Sequence, residues 1–409
     1  MNPRSVSRMG RENFDEIHII REVNMKLGLI GLLITAIFLV SACTKKAAGP
    51  EVEVIDGVEY VHNPSGPLQP DLTVNFREEL SIGGEKEAQE AVLYRPSGIL
   101  VDENDFIYIS DYQDAMIKVF DPQGNFVRAI GRKGQGPGEF QALTAMNFLP
   151  DGCLLVFDVQ SRRTSLIDRM GSLVHSHSWR NSHFAILLTD ESGYLADENI
   201  YGEEPKLFIK KYDFVGNELE TWGEFVPIRM MVQRRGEMML AISTPYRPMS
   251  IFAGDPVRKR LYHCHNNTYA IELYEAPGKL VRKIDRPYQP VPFTQKDAQD
   301  YYADFDRRGN KEFSEMAREV ELPKVKTITE SMFVDDLGNL WLATNELDEK
   351  AERPRRAYDI FNPEGHYACR VWLGLRPRVF VRGKMYSFHA DEETGFTTVK
   401  RYGVTWTNR

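Results

Sequence analysis

From Arg95 to Phe140 the chain reads RPSGILVDENDFIYISDYQDAMIKVFDPQGNFVRAIGRKGQGPGEF, and its apolar positions fall into four short runs of alternation: Gly98–Val101, Phe106–Ser110, Met116–Phe120 and Phe126–Ile130. β-branched and aromatic residues fill these runs. The intervals between them hold Asp, Asn, Gly and Pro, as in Asp102-Glu103-Asn104-Asp105 and Asp121-Pro122-Gln123-Gly124-Asn125. Period-two alternation broken by turn residues predicts strands, and four antiparallel strands at this spacing make one propeller blade.

The pattern recurs along the chain. A second blade is predicted over about 142–179, a third over 183–224, a fourth over 249–287 and a fifth over 328–373. Each repeats the Asp/Gly turn series, as in Leu149-Pro150-Asp151-Gly152 and Asp335-Asp336-Leu337-Gly338-Asn339. Val379–Val381, Met385–Phe388 and Thr398–Tyr402 supply three strands of a sixth blade before the chain ends, and Leu72–Ile82 is the strand available to complete it. A three-stranded blade would leave an open edge, so pairing the two termini closes the ring. The expected fold is therefore all-β: a six-bladed β-propeller of four-stranded antiparallel blades over 72–409, closed by an N-terminal strand. A seventh turn series is not found, and recurrence at roughly 40–50 residues argues against a β-sandwich.

The 95–140 stretch resembles an NHL-type repeat. The resemblance rests on Pro96-x-Gly98, Val101-Asp102, Ile107-Tyr108-Ile109-Ser110-Asp111, Ile117-Lys118-Val119-Phe120-Asp121 and Gly124-Asn125-Phe126, followed by Gly131 to Phe140. Over about 72–409 the chain is similar to six-bladed bacterial lipoproteins with NHL-like repeats. Six-bladed relatives include calcium-dependent lactonases and zinc-dependent amidating lyases, so the resemblance admits a metal site in the central channel.

The N-terminus carries a different pattern. Lys26 precedes the continuous apolar run Leu27–Val40, which is short for a membrane span and suits the core of a signal peptide. The run ends in Val40-Ser41-Ala42-Cys43, which resembles the bacterial lipobox. That resemblance implies a signal peptide over 25–42, cleavage before Cys43 and acylation of its thiol, giving an envelope protein anchored to a membrane by lipid. Thr44 at the following position implies sorting to the outer membrane. Residues 1–24 are polar and precede Met25-Lys26, and they are expected to be an upstream extension or a misassigned start, with Met25 the true first residue. Residues 43–71 read as a tether.

The chain has 51 Lys+Arg against 59 Asp+Glu and a net charge of −8. With no basic cluster, nucleic acid is not an expected partner. Cys153, Cys264 and Cys369 lie in separate strand-like segments, so they imply no disulfide framework and read as small buried residues. The glycines from Gly131 to Gly138 belong to an inter-blade turn and do not form a phosphate loop, and neither GxSxG nor HExxH occurs.

In such a ring the loops joining successive blades, and those joining a blade's second and third strands, open on one face. Three long insertions fall in these loops: 225–248, 288–327 and 345–356. The second contains a predicted helix starting at Thr294, capped with Asp297 three residues on, and placing Tyr301, Tyr302 and Phe305 on one face. With Arg234 and Arg235 these aromatics form the expected rim over the channel. His183, His263, His265 and His389 are the candidate metal or ligand-binding side chains, since imidazoles at the upper surface suit zinc or acid–base work. The expected function is a monomeric, lipid-anchored binding or scaffolding protein that takes a peptide, glycan or protein on its loop-rich face. The alternative is a propeller enzyme with a divalent metal in the channel.

Overall fold

The computed structural model describes residues 49–84, 88–202, 204–235, 238–391 and 395–408. Cys43 and the apolar run before it lie outside the described residues. The chain enters through β1 (Glu51–Ile55), β2 (Val58–His62) and β3 (Leu72–Ile82). Blade one is β4–β7 (Pro96–Val101, Ile107–Asp111, Met116–Phe120, Phe126–Ile130), and blade two is β8–β11 (Leu143–Phe148, Leu154–Asp158, Arg163–Ile167, Leu173–Ser178). Blade three is β12–β15 (Ile186–Asp190, Gly193–Ile200, Lys206–Tyr212, Glu218–Phe225), and the hairpin β16–β17 (Met231–Arg235, Met238–Ile242) follows it. Blade four is β18–β21 (Ser250–Asp255, Arg260–His265, Ala270–Glu275, Lys279–Asp285). Two helices, α1 (Gln295–Arg307) and α2 (Lys311–Glu319), precede blade five, β22–β25 (Thr329–Val334, Leu340–Asp348, Arg355–Phe361, Tyr367–Leu373). Blade six joins β26–β28 (Val379–Val381, Lys384–Ala390, Thr397–Asn408) to β3. The protein is thus a six-bladed propeller closed by Leu72–Ile82. The β3–β28 ladder runs from Val399 opposite Ile82 to Asn408 opposite Leu72.

Burial explains the ring. A separate apolar cluster sits at each junction: Tyr108 with Val156 between blades one and two, Phe157 with Tyr194 between two and three, Leu188 with Leu261 between three and four. Ile271 with Leu342, Trp341 with Val74, and Ile99 with Val399 fill the remaining three. Each blade therefore buries both faces, and only closure leaves neither end of the stack wet.

The repeated acidic turn residues act as backbone acceptors. Asp111 accepts from the N–H groups of Tyr94 at 2.7 Å and Arg95 at 3.2 Å. Asp158 does the same for Gln141 and Ala142, and Asp197 for Phe184 and Ala185. In blades four and five an amide one position later latches the backbone instead, as acceptor at Asn266 and as donor at Asn345. Asn266 Oδ1 accepts from Met249 N–H at 2.9 Å, and Asn345 Nδ2 donates to Thr327 O at 2.8 Å. All five side chains are buried, so each inner strand is latched to its blade by a polar group that would be costly to orphan.

The tether expected over 43–71 is corrected from residue 51 onward. β1 and β2 form a hairpin about Asp56-Gly57, whose φ values of 52° and 78° suit a two-residue turn. β2 then pairs in parallel with β21, the outer strand of blade four. The chain continues as a strap. Asn63 Nδ2 donates to Gly365 O at 3.0 Å, Asn63 Oδ1 accepts from Tyr367 N–H at 2.7 Å, and Leu68 N–H donates to Tyr367 O at 2.9 Å. The strap spans the outer edges of blades four and five before becoming the outer strand of blade six. It covers edges that would otherwise be open.

At the junction beneath the strap lies the fully buried carboxylate of Asp359. It accepts from Arg286 at 2.6 Å, Arg370 at 2.7 Å, Tyr269 at 2.5 Å and Tyr367 at 2.8 Å. Arg286 also donates to Ser65 O of the strap at 3.2 Å and packs over the Tyr269 and Tyr367 rings. Burial opposes the charge on Asp359, yet Arg370 and Arg286 hold its carboxyl below its ordinary value. Replacing Asp359 with Asn leaves buried guanidinium charge without its counterion. Asp359→Asn is expected to cost roughly 3–5 kcal/mol, read as a lower urea midpoint, whereas an unchanged midpoint would show that the network does not bind blades four and five together.

Candidate functional site

Two of the three insertions expected to build up a rim or lid over the channel fold into one body. The hairpin β16–β17 comes from the link between blades three and four, and α1–α2 from the link between blades four and five. Leu240 and Ile242 of the hairpin share a small core with Phe305, Met316, Ala317 and Val320 of the helical segment. Tyr301 Oη donates to Ser243 O at 3.1 Å, and Gln233 Nε2 donates to Glu319 at 2.6 Å. α1 starts as expected at Thr294, whose side chain and Asp297 form a reciprocal capping box. The second helix α2, capped by Asn310, was not foreseen.

The lid is fastened at its base. Asp297 also pairs with Lys326 at 2.6 Å, and both side chains are largely buried. Lys326 lies 5.3 Å from the centre of the Tyr246 ring. The two legs of the helical excursion bond to each other through Phe293 N–H to Lys324 O and Lys326 N–H to Val291 O. On its outer side Lys296 of α1 reaches Glu349 in the blade-five loop at 3.1 Å.

Beneath the lid, over blades four and five, a cleft runs between α1 and the ends of the inner strands. Its inner part is a cavity of about 610 Å³ lined by Tyr246, Arg247, Asn266, Tyr301, Glu330 and Arg376, among others. The outer part, about 980 Å³, shares Tyr246, Tyr301, Glu330 and Arg376 and extends to Lys296, Asp300 and Glu349. The walls are thus two tyrosines set among charged groups. Glu330 holds Arg356 at 2.9 Å and lies 3.6 Å from Arg376, while Arg308 pairs with Asp304.

The predicted site residues divide into two sets. Tyr301, Tyr302 and Phe305 do come together, but as the core of the lid more than as an exposed rim. Phe305 is 9% exposed, and Tyr302 packs under Arg318. Of these three, Tyr301 and Phe305 line the inner cavity of the cleft. Arg234 and Arg235 lie on β16 opposite Met239 and Met238, and the side chain of Arg235 lies outside the described residues. The four histidines are not brought together. His183 precedes blade three, His263 and His265 lie on blade four, and His389 lies on blade six. His263 is buried between Glu272 at 3.0 Å and Ser250 at 3.1 Å, its bond holding the Glu272 carboxyl down at about 2. His389 Nε2 is 2.9 Å from Tyr402 Oη, and burial lowers its pKa. His265 ends β19 half-buried. Among the described residues no three His, Cys, Asp or Glu side chains are placed to hold a metal ion. Among the described residues Cys153, Cys264 and Cys369 are unpaired, and burial pushes the Cys264 and Cys369 thiols up to about 12.

Tyr246, Arg247, Glu330 and Arg376 are the cleft residues that sequence reasoning missed. A signal was present: Tyr246-Arg247-Pro248 repeats the Tyr94-Arg95-Pro96 that opens blade one.

A family described as "6-bladed beta-propeller" matches residues 87–149. No curated protein matches the chain. Among solved structures, a Bacteroides fragilis protein described as exported superposes with a TM-score of 0.51 at 11% identity, covering 86% of this chain and 99% of its own. A member of the duf4221 family from Bacteroides vulgatus gives 0.48 at 10% identity, with 83% and 100% covered. A gluconolactonase from Xanthomonas campestris gives 0.42 at 9% identity, with 88% and 95% covered. At these identities the likeness is one of fold.

His183 generates a pH prediction. It is 5% exposed and enclosed edge-on by Phe157, Trp179 and Tyr212. Burial lowers its pKa from 6.5 to about 4. Between those values the unfolded chain binds a proton that the folded one refuses, so stability falls as pH drops from 6.5 and the loss is complete near pH 4. At ~1.4 kcal/mol per pH unit the loss amounts to about 3 kcal/mol. His183→Phe keeps the ring packing and is expected to flatten the unfolding free energy over pH 4–6.5 by one proton. An unaltered slope would place the titration elsewhere.

Proposed function

We propose that the chain is an exported, lipid-anchored binding protein and that the cleft beneath the two-part lid takes a glycan. The observation that carries this reading is the union of two insertions, some 60 residues apart in sequence, into one packed body over a single sector of the upper face. Peptide binding by strand addition needs a free sheet edge, and helix docking needs an apolar groove. This cleft offers walls of helix, loop and strand ends, with Tyr246 and Tyr301 among hydrogen-bonding side chains. Flat aromatic faces bordered by polar groups suit the alternately apolar and hydroxylated surfaces of pyranose rings. Export is supported by the apolar run Leu27–Val40 with Cys43, and by the similarity in fold to the exported Bacteroides fragilis protein.

On a glycan array the labelled protein should give hits that Tyr246→Ala weakens about tenfold, a difference of ~1.4 kcal/mol. Hits that Tyr246→Ala leaves untouched would move the site away from the cleft. Cys43→Ala should release the protein from the membrane fraction, and unchanged fractionation would remove the lipid anchor from the account.

A further inference from the structure

The inner cavity is not neutral. Four guanidinium groups surround it or hold its lining residues: Arg247, Arg308, Arg356 and Arg376. The carboxylates among them are Asp304 and Glu330. Asp304 is engaged by Arg308 and Arg307 of its own helical segment. Glu330 is shared, closer to Arg356 than to Arg376. The other acids of the cleft lie on its outer flank, where Lys326 takes Asp297 and Lys296 takes Glu349. The charge of the cleft is therefore divided along its length, with the positive excess at the inner end beside blade four.

Arg247 is the extreme case. It is half-buried, it forms no ion pair with a described carboxylate, and its Nε is buried without a hydrogen-bond partner. The neighbouring polar groups are already committed. Asn266 spends its amide on Met249 N–H and on the Arg247 carbonyl, and Thr327 Oγ1 accepts from Asn345. Burial alone lowers the Arg247 pKa, and the facing Tyr201 phenol opposes the effect. A buried Nε–H without an acceptor is costly, and an arriving anion can meet it together with the more open end of the guanidinium. Arginine suits a planar carboxylate because its N–H groups match both oxygens.

Resting on the glycan reading above, we propose that the cleft selects acidic oligosaccharides, seating a uronate carboxylate on Arg247 at its inner end, with Arg376 beside it and the Tyr246 and Tyr301 rings along the sugar.

The test uses the full-length chain and isothermal titration with hexasaccharides of galacturonate, of mannuronate and of a glucuronate-containing glycan. Their methyl esters, which keep the sugar and lose the charge, and hexaglutamate complete the set. At least one acidic series is expected to bind, its methyl ester at least tenfold more weakly. Arg247→Gln should reduce affinity for the acid at least tenfold and leave the ester unchanged, with Arg247→Lys in between. The thermal midpoint should not fall, since no side-chain hydrogen bond among the described residues is removed and an unpartnered buried Nε–H is relieved. Acid and ester binding equally, or Arg247→Gln binding like the parent, would overturn the proposal. If esters bind with dependence on Tyr246 and the acids gain nothing, the acidic preference fails while the glycan reading stands. If hexaglutamate binds as tightly as any uronate, or if no sugar binds at all, both fail.

Discussion

The pairing of β3 with β28 is the constraint on which the rest depends. The end of the chain supplies three strands of blade six, and the fourth is the segment Leu72–Ile82, brought round from the other end. Without it the clusters on both sides of blade six would lie open: Val74 against Trp341 on one side, and Ile82 against Leu93 and Ile99 on the other. A stack of blades is stabilised only through its neighbours, so the ends are its weak points. Here the two ends become one blade. The strap ahead of β3 extends the same solution, running over blades four and five with β2 paired to β21 and with Asn63, Leu68 and Gln69 bonded across to blades four and five. The buried Asp359 cluster ties that strap to the junction below through Arg286.

The blades were legible in the sequence because each is local. The alternation and the Asp/Gly turns of 95–140 place its strands to within two residues, and closure followed from counting them. The recurring Asp residues were read as turn punctuation. Asp111, Asp158 and Asp197 prove to be latches, a role that needs a partner 13 to 16 residues earlier in the chain. The strap was misread because its partner, β21, is more than 200 residues away and the pairing is parallel, which no short-range pattern reveals. Its hairpin did carry a local sign, Asp56-Gly57 between alternating apolar residues. The Pro, Gly and Ser around it outweighed that sign.

The candidate site was legible only in outline. The insertions were found, and so was the helix cap at Thr294. That Leu240 would pack on Phe305 was not, because both insertions look like ordinary amphipathic segments until they meet. The histidines failed for a related reason. Residue type alone cannot distinguish an imidazole at a channel mouth from His183, walled in by aromatic rings, or from His263, held between Ser250 and Glu272. The cleft residues Tyr246 and Arg247 sit at the base of the lid. Their exposure to a ligand arises from the lid standing above them.

The propeller thus supplies a rigid, closed base, and the lid turns one sector of its upper face into a cleft of mixed aromatic and charged character. Hydrogen–deuterium exchange with and without a pool of neutral and uronate oligosaccharides tests this most directly. The account predicts slowed exchange confined to 243–249, 295–308, 327–330 and 374–378, the segments that border the cleft. Protection on the opposite face, or over blades one to three with these segments unchanged, would contradict it.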